Sequence, residues 1–338
     1  MAVKIAINGF GRIGRLVLRA LVQSGRTDLT PVAINDLGSV EANAHLFLYD
    51  SVHGRFPGEV AVEGDSITIK HAGRSWGPIR VSAERDPARV PYQGVDVALE
   101  CTGLFTTKAS AAQLVAAGAR KVLISAPADG VDATIVFGVN QHVITPEMNV
   151  ISNASCTTNC LVPMAAVLHE AFGIERGYML TIHSYTGDQR TVDTLHKDLR
   201  RARAAALSMI PATTGAAKAV GLVLPELSGK LDGTAIRVPT ANVSLVSLDV
   251  NLKVRPSVKE VNAAFAAAAA GKLKGILDYN TAPLVSTDFN GIPASCTFDA
   301  TQTTSVDGGA LIRVCGWYDN EWGFSNRMCD TAAVFGAV

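Results

Sequence analysis

This 338-residue chain has no excess of charge, no cysteine-dense segment and no long apolar run, and each absence removes a class of function. Thirty lysines and arginines balance thirty aspartates and glutamates, so the formal net charge is zero. Without a field of one sign, nothing draws nucleic acid or an anionic membrane to the whole surface, and only local charge clusters matter. The six cysteines, at 101, 156, 160, 296, 315 and 329, are scattered. A disulfide framework needs a small cysteine-rich domain, so free thiols in a reducing compartment are expected. Apolar runs break well short of the roughly 20 residues that cross a bilayer. No cationic segment leads an apolar stretch at the N-terminus, so no signal peptide is expected. Linker-like stretches and internal repeats are missing as well. The chain reads as soluble and cytoplasmic, with neither nucleic acid nor membrane among its partners.

What is present favours a large core. Hydrophobic residues make up 48% and charged residues 18%, and the length suggests about two domains. Strand-like runs at residues 3–7, 30–34, 95–100, 121–125 and 150–152 alternate with helical patterns such as 14–23 and 107–118. That alternation is the sign of βαβ units on a parallel sheet. After about residue 150 the pattern changes to a long helix, 157–172, and then to extended alternating runs at 178–183, 241–253 and 310–318. These predict an α+β domain whose mostly antiparallel sheet has one covered face. Ser257 and Glu260 form a capping box that opens an Ala-rich helix running to Gly271. The two domains are expected to pack closely, with a site between them.

The first strand runs into Gly9-Phe10-Gly11-Arg12-Ile13-Gly14, a G-x-G-x-x-G that opens a helix, and Asp36 lies 22 residues beyond Gly14. Gly9 permits the tight turn, Gly11 lets the backbone approach a pyrophosphate, and Gly14 lets helix and strand pack closely. The helix start offers N–H groups and its dipole to the phosphates. Asp36 would accept from the adenosine ribose hydroxyls and repel a 2′-phosphate, which favours NAD over NADP. A Rossmann-type dinucleotide-binding domain follows from the strand, the spacing and the acid together. The glycines alone are equally at home in a structural turn.

Cys156 sits where a strand ends and the long helix begins, a position whose dipole favours thiolate. Most single cysteines are inert packed side chains, and Cys160, on the same helix face, is read as one. No second Cys/His pair stands nearby, so no metal site is expected. His183 ends the strand-like run that follows the helix after a short turn. A returning strand brings its end back toward the helix start, where an imidazole could hold the thiolate and then act as base and acid. A histidine at a strand end can equally be structural. A cysteine protease would use the same pair but has no need of a dinucleotide fold.

Thr186, Asp188 and the run Arg200-Arg201-Ala202-Arg203 follow, then Thr213-Thr214-Gly215 before a helix, and Arg237. Hydroxyls, a helix-start glycine and arginines are phosphate-binding groups. Part of the arginine run is expected to be a solvated face.

With these residues in view, the chain resembles the phosphorylating glyceraldehyde-3-phosphate dehydrogenases over residues 2–338. The motifs are INGFGRIGR at 7–15, SNASCTTNC at 152–160, HSYTGDQ at 183–189, HKDLRRARAAA at 196–206, TTGAAKAVG at 213–221 and WYDNEWGFSNR at 317–327. The resemblance implies that D-glyceraldehyde 3-phosphate is oxidised and phosphorylated to 1,3-bisphosphoglycerate through a hemithioacetal and a thioester on Cys156, with His183 as base. Thr186, Asp188, Arg201 and Arg237 match positions that hold the substrate's phosphate. Ser155, Thr157, Thr214 and Gly215 match those for the attacking inorganic phosphate. Arg12, Ile13, Asp36, Arg85, Ser125 and Asn320 match cofactor contacts, Asn320 near the nicotinamide amide. The family implies a homotetramer in which residues 184–207 pack across a subunit interface. The implied division is 1–155 for the cofactor domain, completed by a C-terminal helix at 321–338, and 156–320 for the catalytic domain.

One stretch departs from the pattern. Thr194-Leu195 stands before His196 where NAD-specific members generally carry Leu-Pro, which leaves an NADP-accepting form of the enzyme as an alternative to NAD. An erythrose-4-phosphate dehydrogenase would share fold and nucleophile. Residues 184–189 and 213–218 match the phosphorylating enzyme instead.

Overall fold

The computed structural model describes residues 2–338, leaving Met1, the first residue of the expected cofactor domain, outside. Two compact units are present: residues up to Ala154 together with Ser325–Val338, and Ser155–Phe324.

The first unit is built on a nine-stranded sheet among the described residues. In order it runs Glu59–Glu63, Ser66–His71, Arg74–Ser82, Leu29–Asn35, Val3–Asn8, Val97–Glu100, Lys121–Ile124, Val150–Ser152 and Ala133–Thr134. From Arg74–Ser82 onward every pairing is parallel, as the alternating strand and helix pattern requires. Its strands are apolar on both faces: Ile5, Ala6, Ile7, Val97, Ala98, Leu99, Val122, Leu123 and Ile124 are all buried. Residues 59–82 had no element expected of them, and they form an antiparallel three-stranded edge. Their alternation is weak because one face is open, with Glu59–Glu63 reading exposed and half-buried by turns. The single helix expected at 107–118 is instead two short ones, Lys108–Ala111 and Gln113–Ala116.

The turn after Val3–Asn8 is very tightly packed. A Cβ added at Gly14 would stand 2.1 Å from the Gly9 carbonyl oxygen and 3.0 Å from the Ile7 side chain. Arg19, on the same helix, is buried. It donates to the Phe47 carbonyl through Nε (2.9 Å) and Nη2 (2.6 Å), which satisfies the C-terminal end of the helix Val40–Leu48.

The second unit carries a mostly antiparallel sheet in the order Ile210–Thr213, Leu231–Val238, Ile174–Ser184, Ser244–Leu252, Leu311–Tyr318, Cys296–Asp299 and Leu277–Asn280, with Thr304–Val306 paired to Leu311–Tyr318. Two pairings are parallel, Ile174–Ser184 with Leu231–Val238 and Leu277–Asn280 with Cys296–Asp299. The helix Cys156–Phe172 lies against this sheet and buries Cys160, Leu161, Val162, Met164, Ala165 and Leu168. The Ser257–Glu260 capping box is present, with each side chain bonded to the other's backbone N–H. The strand expected from 241 starts only at Ser244, because Val243 has φ of +69°, outside the extended region.

Gly14→Ala is expected to lower stability by about 1–3 kcal/mol, because the helix must move off the turn to admit one methyl. Thermal melting checks it, and an unchanged melting temperature would show that the turn yields freely.

Candidate active site

In the first unit, the carboxyl ends of the parallel strands surround a cleft of about 330 Å³, lined among others by Gly9, Gly11, Asp36, Arg85, Thr102 and Phe105. Gly11 is the N-cap of the helix Arg12–Gln23, with no side-chain cap, and a Cβ there would meet nothing within 4 Å. The backbone therefore faces open space, which is what a pyrophosphate approaching the first-turn amides needs. Asp36 accepts from the Phe10 N–H (2.8 Å) and the Gly38 N–H (2.9 Å), so its carboxylate is held at the cleft edge. These residues fit a dinucleotide.

The other expected cofactor residues of this unit are spread around that turn. Gly14 underlies it by packing, and Ile13 is half-buried in the first helical turn. The Arg12 guanidinium pairs with Asp50 at 2.5 Å. Against the cost of burial, the His53 amide and this guanidinium hold Asp50 down to about 2. Ser125 bonds the Glu100 carbonyl through its N–H and lies beside Cys101. A hydrogen-bonded layer not foreseen from the sequence borders the cleft. Buried Glu100 accepts from Asn8 Nδ2 and the Thr102 N–H, Asn8 Oδ1 accepts from Asn35, and Asn35 Oδ1 accepts from Ser82 and Glu84. Burial pushes the Glu100 carboxyl up against those bonds.

In the second unit, Cys156 opens its helix, and the Ser155 hydroxyl caps it by accepting the Thr158 N–H at 3.0 Å. The chain leaves the helix at Gly173 and returns along Ile174–Ser184, bringing His183 Nε2 to 3.5 Å from Cys156 Sγ. His183 pairs in parallel register with Arg237, so the two side chains stand side by side. His183 Nδ1 is 2.7 Å from the Ser184 carbonyl oxygen, and Arg237 Nη1 is 3.0 Å from that oxygen and 2.7 Å from Nδ1. Nδ1 thus stands equally near a carbonyl that only accepts and a guanidinium that only donates; in the tautomer with its proton on Nδ1, bonded to the carbonyl, Nε2 is an acceptor facing the thiol. Tyr318, which sequence reasoning passed over, packs edge-on to the imidazole and shares its hydroxyl with Thr157 and Thr181 at 2.9 Å each.

The electrostatics differ from the helix-start expectation. Burial pushes the Cys156 thiol up, while the Arg237 charge and the Thr157 amide pull it down. His183 falls to about 3, through burial first and the Arg237 charge second. A helix dipole favours thiolate, but sequence alone does not register the desolvation that opposes it. The resting imidazole is therefore neutral near pH 7.

Around this pair the expected anion-binding residues divide. Asp188 accepts from Arg201 and lies 3.5 Å from His196 Nε2, so its carboxylate orients a cation. Arg201 in turn lies close enough to Arg237 to disfavour its charge. Two guanidiniums held near each other, with Arg237 Nε buried and bonded to none of the described residues, favour an anion between them. Thr186 Oγ1 donates to Gln189, and Thr214 Oγ1 accepts from the Ala216 N–H. Gly215 caps the helix Ala216–Val223 without a side chain. Arg203 pairs with Asp193 on the surface, the solvated face expected of part of that run. Asn320 is buried in this unit, where its Oδ1 accepts from Ser184 (2.8 Å) and Ser244 (3.0 Å).

A dinucleotide cleft on a largely parallel sheet and, in the other unit, a helix-start cysteine beside a strand-end histidine define the class, a nicotinamide-dependent oxidoreductase. Residues 3–108 match the family model described as glyceraldehyde 3-phosphate dehydrogenase, NAD binding domain, and residues 155–320 match the corresponding C-terminal domain. The chain is 64% identical to the glyceraldehyde-3-phosphate dehydrogenase of Xanthobacter flavus and 62% identical to that of Cereibacter sphaeroides, over the full length of both partners in each case. It is 57% identical to that of Geobacillus stearothermophilus over 98% of each chain. The chain belongs to the glyceraldehyde-3-phosphate dehydrogenase family, and its dinucleotide is NAD.

Arg237→Leu removes a charge that disfavours imidazolium. The His183 midpoint is therefore expected to rise from about 3, yet stay below 6.5 because burial is the larger cause. Nitrogen NMR of labelled histidine in a Cys156→Ser background, where no thiol shares the proton, measures it. An unmoved midpoint would show that the guanidinium does not act on the ring.

Proposed function

We propose that the chain catalyses the phosphorylating oxidation of D-glyceraldehyde 3-phosphate to 1,3-bisphosphoglycerate with NAD. The observation that carries the reading is Cys156 Sγ at 3.5 Å from a neutral His183 Nε2, with Arg237 beside it. Cys156 sulfur adds to the aldehyde carbon, and the thiol proton passes by way of Nε2 to the new hydroxyl of a hemithioacetal. His183 then takes that hydroxyl proton. NAD held by the first unit's residues would supply the hydride acceptor that turns the same carbon into a thioester carbonyl on Cys156. Inorganic phosphate attacks the thioester carbon, the acyl phosphate departs, and the sulfur recovers its proton from His183. A thioester keeps much of the oxidation energy that an ester on serine would lose, which is why the nucleophile is sulfur.

In this reading Thr186, Arg201 and Arg237 hold the substrate's phosphate, with Asp188 orienting Arg201. Ser155, Thr157, Thr214 and Gly215 hold the attacking phosphate. The cofactor is held by Gly9, Gly11, Arg12, Ile13, Gly14, Asp36, Arg85, Ser125 and Asn320. A homotetramer belongs to the same proposal. It is supported by five exposed apolar side chains within residues 192–209, Val192, Leu195, Leu199, Leu207 and Met209. A cytoplasmic setting is supported by six cysteines that are all free thiols, and no helix among the described residues is long and apolar enough to cross a membrane.

Cys156→Ser is expected to bind NAD as the parent does and to lose nearly all turnover, read as phosphate-dependent NADH formation from glyceraldehyde 3-phosphate. Retained turnover would remove the sulfur from the mechanism. For the cofactor, kcat/KM with NAD is expected to exceed that with NADP at least tenfold, because Asp36 repels a 2′-phosphate. A preference for NADP would show that residues 194–195 outweigh Asp36.

A further inference from the structure

Two neighbouring strands converge on one side-chain amide. Ser184 ends the strand that carries His183, and Ser244 begins the strand paired to it on the other edge. The Ser184 N–H donates to Ser244 Oγ at 3.0 Å, so that oxygen is engaged as an acceptor and its own proton must find another partner. Asn320 Oδ1 lies 3.0 Å from Ser244 Oγ and 2.8 Å from Ser184 Oγ, and both hydroxyl protons point to it. A flipped amide would put two donors against the serine oxygens, leave the Ser244 proton only the longer contact to Ser184 Oγ at 3.5 Å, and strand the Ser184 proton in a buried place. The orientation with Oδ1 on the serines is therefore the favoured one, and it turns the Nδ2 group to the other side of the amide.

The backbone on both flanks is built to hold this arrangement. Asn242 Nδ2 donates to Asp319 Oδ2 at 2.9 Å, and Asp319 Oδ1 accepts from the N–H groups of Glu321 and Trp322. Residues 242 and 244 thus grip residues 319 and 320 respectively. The residue between the grips, Val243, is a buried β-branched side chain with φ of +69°, a conformation such residues avoid. Strain of this kind persists where surrounding contacts over-determine it, and here both neighbours are tied down.

We infer that Ser184 and Ser244, the latter set by the strained backbone at Val243, are positioning residues that lock the Asn320 amide with its N–H groups presented, so that it selects a carbonyl acceptor on the carboxamide of the nicotinamide ring. The inference rests on the proposed reading of Asn320 as a cofactor contact and deepens it. An amide held this way asks its ligand for a carbonyl oxygen and is indifferent to the carboxamide nitrogen.

Equilibrium titration of the intact protein by tryptophan fluorescence, with NAD and with its 3-acetylpyridine analogue, separates the possibilities without turnover. The analogue keeps the carbonyl and lacks the amide nitrogen. The parent protein is expected to bind both within about threefold. Asn320→Ala is expected to weaken NAD binding roughly fivefold, the size of one net hydrogen bond. The Ser184→Ala/Ser244→Ala double variant, with Asn320 intact, should show most of that loss. If the double variant fails to melt cooperatively, each single variant is expected to weaken NAD about twofold. An Asn320→Ala protein that binds NAD like the parent removes the cofactor contact, and the inference with it. A loss with Asn320→Ala but none on removing the serines leaves the contact standing and overturns the lock. Discrimination against the analogue of tenfold or more by the parent protein would show that the amide presents its carbonyl, which also overturns it.

Discussion

The strand Ile174–Ser184 is paired along both edges, and the candidate site depends on that double pairing. Its parallel partner places Arg237 level with His183, and its antiparallel partner places Ser244 beside Ser184. The helix Cys156–Phe172 precedes it in the chain, so the strand's return past Gly173 decides what stands opposite Cys156. A slip of one residue on the parallel edge would turn Arg237 to the opposite face of the sheet. The register is secured by backbone bonds over eight residue pairs, from Gly177 with Leu231 to Ser184 with Val238. Cooperative backbone pairing thus sets the position of groups that interact only weakly one by one.

Burial gives this arrangement its chemistry and opposes its charge. The imidazole is almost completely buried and its midpoint lies near 3, while the adjacent thiol is pushed up. A neutral pair results, with Nε2 of the imidazole facing the thiol. Arg237 acts in two directions. Its charge favours thiolate on Cys156 and disfavours imidazolium on His183, so any change in its surroundings shifts both partners. Its closeness to Arg201, itself oriented by Asp188, makes an anion the natural fourth member of the cluster.

The dinucleotide cleft follows a different economy. Its walls combine the glycine-turn backbone with side chains such as Asp36, Arg85 and Phe105, and its polar support is the chain of Glu100, Asn8 and Asn35 that ties together the ends of neighbouring strands. Much of this unit was legible in the sequence, because a G-x-G-x-x-G after a strand demands specific backbone geometry at Gly9, Gly11 and Gly14. Asp36 was legible for the same reason, standing at the end of the second strand. The polar support was not. Asn8, Glu100 and Asn35 are far apart in sequence, and no local pattern marks residues whose partners lie on other strands. The edge strands of residues 59–82 were missed because a half-exposed edge carries only faint alternation.

By itself the sequence determined the local chemistry: a cysteine at a helix start, a histidine at a strand end, a glycine turn before a helix, and a formal net charge of zero. These are written in neighbouring residues and need no partner to be read. Only the tertiary structure decided which side chains meet and in what protonation state. The sulfur–imidazole contact, the Arg237 charge on that imidazole, and the grip of Ser184 and Ser244 on Asn320 all join residues separated by 27 to 136 positions. Their geometry comes from strand register and their electrostatics from burial, two quantities that exist only once the chain has folded.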